Sequence, residues 1–157
     1  MSTDAQIATV RQLVAEQGHE PGALLPILHA VQDALGCVPG DAVAEIAAGL
    51  NLSRAEVHGV VSYYHHFRAE PTGRHVLQVC RAEACQAMGA DALWDHACRR
   101  LGLRDAGTSA GGGVTLEPVY CLGLCASSPA VALDEQPRAR MSAPRLDALL
   151  ASAEASA

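Results

Sequence analysis

Up to about Phe67 the apolar residues of the chain recur at helical spacing, and glycine, proline and small polar residues interrupt them at intervals. Ile7, Val10 and Val14 share one helix face and the pattern stops at Gly18, while Leu24, Leu28, Val31 and Leu35 form a second stripe ending at Gly36. A third stripe, Val43, Ile46, Ala47 and Leu50, is started by Asp41 after Pro39-Gly40. The fourth opens with Ser53 and Glu56 at the spacing of a capping box and is expected to bury Val57, Val60, Val61 and Tyr64. Four short amphipathic segments predict a small helical bundle over residues 1–70.

The period changes at Pro71-Thr72-Gly73, which marks the domain boundary. His75-Val76-Leu77-Gln78-Val79 alternates as a strand does and delivers Cys80 at its end. A helix is predicted from about Met88 to Leu101, with Leu93, Ala97 and Leu101 inward and Gly102 as its stop. Gly107 to Gly113 reads as a flexible loop, Val114 to Val119 as a second strand, and Ala130 to Leu133 and Arg138 to Met141 as two more. Ser142 opens a last helix carrying Leu146, Leu149 and Leu150. Residues 71–157 thus read as a small α/β unit, and the chain has no internal repeat.

Composition narrows the setting of these two halves. Half of the residues are apolar, enough for a core, but much of that is alanine and there are only one Trp, one Phe and three Tyr. Close helix packing is therefore favoured over a sheet sandwich. The formal net charge of −6 argues against a nucleic-acid backbone or an anionic membrane as the main partner. No apolar run has the length of a membrane span, and Met1-Ser2-Thr3-Asp4 lacks the basic start and apolar stretch of a signal peptide. A soluble, cytoplasmic chain is the expectation, and in that reducing compartment clustered cysteines are metal ligands or redox centres more often than disulfides.

The cysteines divide into two kinds. Cys80 and Cys85 form a C-x4-C pair, and Cys121 and Cys125 a C-x3-C pair, each in a predicted loop at a strand end. A fold that brings the pairs together makes the four-sulfur cage of a [2Fe-2S] cluster. Zinc is the alternative, since its ligands also occur at such spacings, although zinc ribbons favour C-x2-C. Gly123, without a Cβ, lets the second loop turn sharply and aim backbone N–H groups at sulfur. Thiol-disulfide catalysis is a further option, but it uses C-x-x-C at a helix start, and neither pair has it. Cys37 and Cys98 each sit alone in helical or helix-end sequence and read as small buried hydrophobes.

Other candidate residues give way to plainer readings. His58, His65 and His66 have no carboxylate or cysteine nearby to complete a metal shell, so packing at a surface or interface is expected. Gly111-Gly112-Gly113 lacks the spacing and following lysine of a phosphate loop and reads as a connector. Arg68, Arg74 and Arg81 flank the approach to the first pair; solvated charge is the default, with Arg81 placed to tune a bound cluster electrostatically.

The spacing Cys80-x4-Cys85-x35-Cys121-x3-Cys125, with Cys121-Leu122-Gly123-Leu124-Cys125 followed by Ser128-Pro129, resembles the thioredoxin-like [2Fe-2S] ferredoxin family, the type found as the E subunit of respiratory NADH:quinone oxidoreductase. Gly59-Val60-Val61-Ser62-Tyr63-Tyr64-His65-His66-Phe67 and Pro71-Thr72-Gly73-Arg74-His75 are similar to the segment that leads into the first ligand in that family. The likeness covers nearly the whole chain. Between the first two ligands, Arg81-Ala82-Glu83-Ala84 departs from the threonine-bearing segment usual in the respiratory protein. There the chain looks more like the gamma subunit of soluble NAD-dependent formate dehydrogenase; related subunits also serve NAD-reducing hydrogenases.

The resemblance implies an α/β fold in which an N-terminal four-helix segment is followed by a thioredoxin-like [2Fe-2S] ferredoxin domain. It implies that Cys80 and Cys85 bind one iron and Cys121 and Cys125 the other. The helical half would dock on a flavin- and NAD-binding iron-sulfur subunit, and through it serve a formate-oxidising or other dehydrogenase subunit. The chain itself shows no nucleophile-base pair and no nucleotide motif, so no catalytic residue is assigned and its expected task is one-electron transfer.

Overall fold

A computed structural model describes residues 2–155. The chain divides into two compact units, one ending at Pro71 and the other beginning at Thr72.

The first unit is built from α1 (Thr3–Gln17), α2 (Leu24–Leu35), α3 (Gly40–Leu50) and α4 (Arg54–Tyr63). Each boundary has a local cause. Ser2 caps α1 by accepting the Ala5 N–H, Gly36 ends α2 at φ 78°, and Asn51 ends α3 at φ 53°, conformations that glycine and asparagine tolerate best. The capping box expected at α4 forms: the Ser53 hydroxyl accepts the Glu56 N–H, and the Glu56 carboxylate accepts the Ser53 N–H. Val10, Ile27, Leu28, Val31, Val43, Ile46 and Val57 share one core. Gly49 lets α3 pack closely on α1, because a Cβ there would collide with Val14 Cγ1.

Tyr64 departs from the expectation of burial. The helix stops at Tyr63, so the period that would turn Tyr64 inward has already broken, and the ring stays 44% exposed. Phe67 enters the core instead. Gln32 secures this turn-back, donating to the His66 carbonyl at 2.8 Å and accepting the Arg68 N–H at 2.8 Å.

The second unit is a five-stranded mixed sheet of β1 (His75–Cys80), β2 (Gly107–Thr108), β3 (Val114–Val119), β4 (Val131–Leu133) and β5 (Gln136–Arg138), in the order β2-β3-β1-β4-β5. β1 and β3 run parallel, with Cys80 opposite Val119; the other pairings are antiparallel. The helices are α5 (Glu83–Ala87), α6 (Ala90–Leu101) and α7 (Ala143–Ala155). Leu77, Val79, Leu116, Val131, Leu93, Trp94, Leu146 and Leu150 meet in one core between the sheet and helices α6 and α7.

Three elements differ from the sequence expectation. The helix expected from about Met88 begins at Ala90, because Gly89 at φ 89° breaks the chain there, and a separate five-residue α5 precedes it. Gly107 and Thr108 are not loop but a short edge strand on Leu116 and Thr115, while Ser109 closes the turn back to Val114. The last strand lies at 136–138 rather than 138–141. Asp134 and Glu135 both have positive φ, 49° and 64°, as a tight two-residue hairpin loop requires, so pairing resumes at once with Gln136 opposite Leu133. Met141 follows the strand and is buried in the core.

Candidate metal centre

The parallel pairing of β1 and β3 brings the cysteine pairs together. Both strands finish at the same end of the sheet, so Cys80, the last residue of β1, lies beside the start of the loop that carries Cys121. Cys85 sits inside α5 rather than in a loop, one correction to the sequence reading, and Cys125 opens a single 3-10 turn, Cys125–Ser127. Cys80 and Cys85 are buried against Ala90 and Ala130, with Leu122 and Leu124 packed alongside, whereas Cys121 and Cys125 are exposed.

The Sγ atoms of Cys121 and Cys125 are 3.6 Å apart. That is far beyond a disulfide bond of about 2.05 Å. It is close to the edge of a tetrahedron, since two thiolates bound at about 2.3 Å to one tetrahedral metal are about 3.8 Å apart. The turn between them uses left-handed backbone at Cys121 (φ 95°) and Gly123 (φ 75°), and the Gly123 N–H donates to Cys121 Sγ at 3.4 Å. Among the described residues no three His, Cys, Asp or Glu side chains gather to share one ion. Two neighbouring pairs suit a centre with two metal atoms, one pair on each.

Electrostatics separate the four thiols. Burial pushes the Cys80 thiol up, but the lowering effect of the Ala82 N–H, of Cys85 and of the N–H groups of Cys121 and Leu122 outweighs it and holds the thiol below its ordinary value. Cys85 is raised, first by burial and then by its hydrogen bond with Cys80, against the lowering effect of its hydrogen bonds with Ser128 and the Ala130 N–H. Cys125 is raised by its hydrogen bond to Cys121, by the Cys121 charge, and further by the charges of Cys85 and Cys80. Cys85 and Cys125, both raised in part by neighbouring sulfurs, and Cys80, which has N–H groups around it, suit a cationic iron centre whose charge would relieve that repulsion. The sequence reading gave no role to Ser128 or Ala130. Ser128 Oγ stands 3.7 Å from Cys85 Sγ and donates to the Cys125 carbonyl at 2.7 Å, and its place in Ser128-Pro129, just past the second pair, was the available signal.

The remaining candidates have surroundings of their own within their units. Cys37 and Cys98 are buried, and burial raises both thiols, which keeps them neutral. His58 and His65 line a surface hollow with Val61, Tyr64 and Phe67, and the His66 ring packs on His29 and Phe67. Gly112 is tied into a turn by Ser109 and Arg74. The Arg81 guanidinium lies over the Trp94 ring at 5.1 Å and pairs with Asp91 at 3.0 Å, both on α6.

The family model for the thioredoxin-like [2Fe-2S] ferredoxin matches residues 10–154, and the chain belongs to that family, whose cofactor is a [2Fe-2S] cluster. The zinc alternative gives way to it. NADH-quinone oxidoreductase subunit 2 of Thermus thermophilus is 34% identical over 130 residues, 82% of this chain and 72% of the relative. An E-type subunit of NADH-quinone oxidoreductase from Rhizobium meliloti is 36% identical over 130 residues, 83% and 77% of the two chains. Among solved structures, an NAD+-reducing [NiFe]-hydrogenase in its H2-reduced state superposes with a TM-score of 0.69 at 25% identity, over 83% of this chain. This chain spans 22% of that hydrogenase chain. No helix among the described residues is long and apolar enough to cross a membrane.

Proposed function

We propose that this chain is the [2Fe-2S] electron-transfer subunit of an NAD-linked oxidoreductase complex, with Cys80 and Cys85 holding one iron and Cys121 and Cys125 the other. The observation that carries the reading is the convergence of the two cysteine pairs at the paired ends of β1 and β3, with the Cys121 and Cys125 sulfurs 3.6 Å apart. When bound, the cluster supplies one-electron storage and transfer. The chain's residues would hold and tune it: buried Cys80 and Cys85 with the N–H groups around them on one side, the exposed Cys121–Cys125 turn on the other.

The names of the relatives favour a respiratory NADH dehydrogenase or an NAD-reducing hydrogenase as the parent complex, better than formate dehydrogenase. The formate dehydrogenase reading rests on the resemblance of Arg81-Ala82-Glu83-Ala84 to the gamma chain of that enzyme. The partner in either case is a flavin- and NAD-binding subunit, and residues 1–70 are its proposed docking surface. Support comes from a shallow groove lined by Leu24, Leu52, Ala55, Val60, Tyr63 and Tyr64, with Tyr63 77% exposed, an apolar face of the kind partners cover.

The test is anaerobic addition of NADH to the chain alone and to the chain paired with its flavin subunit, following bleaching of the visible absorption. Hydride chemistry needs a flavin, for which no residue here is assigned, so bleaching is expected in the pair only. Reduction of the isolated chain by NADH would overturn the assignment of a purely electron-transferring role. A pair that stays oxidised at a poise below its measured potential would overturn the partner.

A further inference from the structure

Arg81 follows the first ligand directly, yet its side chain is engaged away from the sulfurs. Its guanidinium meets the Asp91 carboxylate at 3.0 Å and lies 5.1 Å from the centre of the Trp94 ring, so it grips two successive turns of α6. Its Nε is buried and has no hydrogen-bond partner. A buried unpaired donor disfavours this rotamer, which is retained where stacking and the ion pair hold the group in place. The Arg81 main chain is fixed as well, donating to the Val119 carbonyl at 2.8 Å. The result is a strut from the first ligand loop to α6, and the next residue, Ala82, caps the start of α5 with its N–H close enough to Cys80 to lower that thiol.

We infer that Arg81 is a positioning residue for the cluster: by clamping the Arg81-Ala82 segment to α6 through Asp91 and Trp94, it holds the Ala82 N–H on the Cys80 sulfur and thereby sets the reduction potential. A donor on a ligand sulfur stabilises the reduced, more negative cluster more than the oxidised one. Loosening the strut therefore lowers the potential. The inference rests on the cluster reading proposed above, and the two fail separately: iron and sulfide content tests the cluster, and the potential tests Arg81.

The experiment is a redox titration of the loaded full-length chain, wild type and variants, with iron and sulfide measured on the same samples. In Arg81→Ala the iron and sulfide content stays at the wild-type value, and the ratio of reduced to oxidised cluster at the wild-type midpoint falls by about tenfold, about 59 mV for a one-electron couple. Arg81→Lys falls in the same direction, because an ammonium keeps the charge but has neither the planar face for Trp94 nor the fork for Asp91. Asp91→Asn also falls, since it weakens the clamp while leaving the positive charge in place. Trp94 is the only tryptophan, so a change in its fluorescence reports release of the stack. If Arg81→Ala does not retain its cluster, the two milder variants decide the question alone. A wild-type potential in the loaded variants overturns the inference. So does a wild-type potential in Arg81→Lys with a raised one in Asp91→Asn, the pattern of a bare charge acting through space. A wild-type chain without iron and sulfide overturns both readings.

Discussion

Replacing Gly123 by alanine probes the second ligand loop at its tightest point. The residue stands at φ 75° between Cys121 and Cys125, and a Cβ built there would have no atom within 4 Å. The penalty is therefore conformational rather than steric, about 1–2 kcal/mol for an L-residue in left-handed backbone. Holding the cluster requires the loop shape and the empty loop is free to relax, so the cost falls on the bound state. Cluster release to an iron chelator, followed anaerobically by loss of visible absorption, should accelerate by about 5- to 30-fold, with initial loading intact. Two other glycines calibrate the result. Gly59 lies inside α4 with ordinary φ and open space, so alanine there should raise thermal stability by about 0.5–1 kcal/mol. Gly49→Ala drives its Cβ into Val14 Cγ1 and should destabilise by about 1–3 kcal/mol. Wild-type release from Gly123→Ala would refute the left-handed turn. Complete failure to load would refute the open space around it.

Replacing Cys80, Cys85, Cys121 or Cys125 by alanine should abolish the cluster, whereas Cys37→Ser and Cys98→Ser should keep full iron content and lose only some stability; iron analysis decides, and loss of iron in Cys37→Ser would break the ligand assignment. Acidification should weaken α4. The Ser53 N–H and hydroxyl bonds to the Glu56 carboxylate lower its folded pKa, so the stabilisation is fully present above the unfolded value of about 4.3 and is lost as pH falls through the lower folded value. The gap in thermal midpoint between wild type and Glu56→Ala should then be constant above about pH 5 and narrow below it. Ser53→Ala should cost about 1 kcal/mol in thermal unfolding.

Much of the architecture is legible in the residues because its boundaries have chemical causes. Gly18, Gly36, Ser53, Glu56 and Gly102 stop or start helices through caps that act within a few residues, and the Leu77/Val79 alternation is dictated by a half-buried pleat. What escapes reading is too short to show a period. The five residues of α5 make little more than one turn, the two of β2 form a strand only by pairing with β3, and β5 takes its register from the Asp134-Glu135 turn rather than from its own sequence. Tyr64 illustrates the same limit: the stripe continues in the sequence one residue beyond the point where the helix ends. At the site, the spacing picks out two cysteine pairs, but not that parallel pairing of β1 with β3 sets the ends of the strands leading to them side by side, nor that Arg81 turns toward α6.

Cys80, Cys85, Cys121 and Cys125 are proposed to hold one two-iron cluster. Anaerobic purification of the chain, with iron, acid-labile sulfide and zinc quantified on one sample and paramagnetic resonance recorded before and after reduction, tests it most directly. The expected result is two irons and two sulfides per chain and a signal only after reduction, when one ferrous and one ferric iron couple to a half-integer spin. Stoichiometric zinc without sulfide, in a colourless protein, would contradict it.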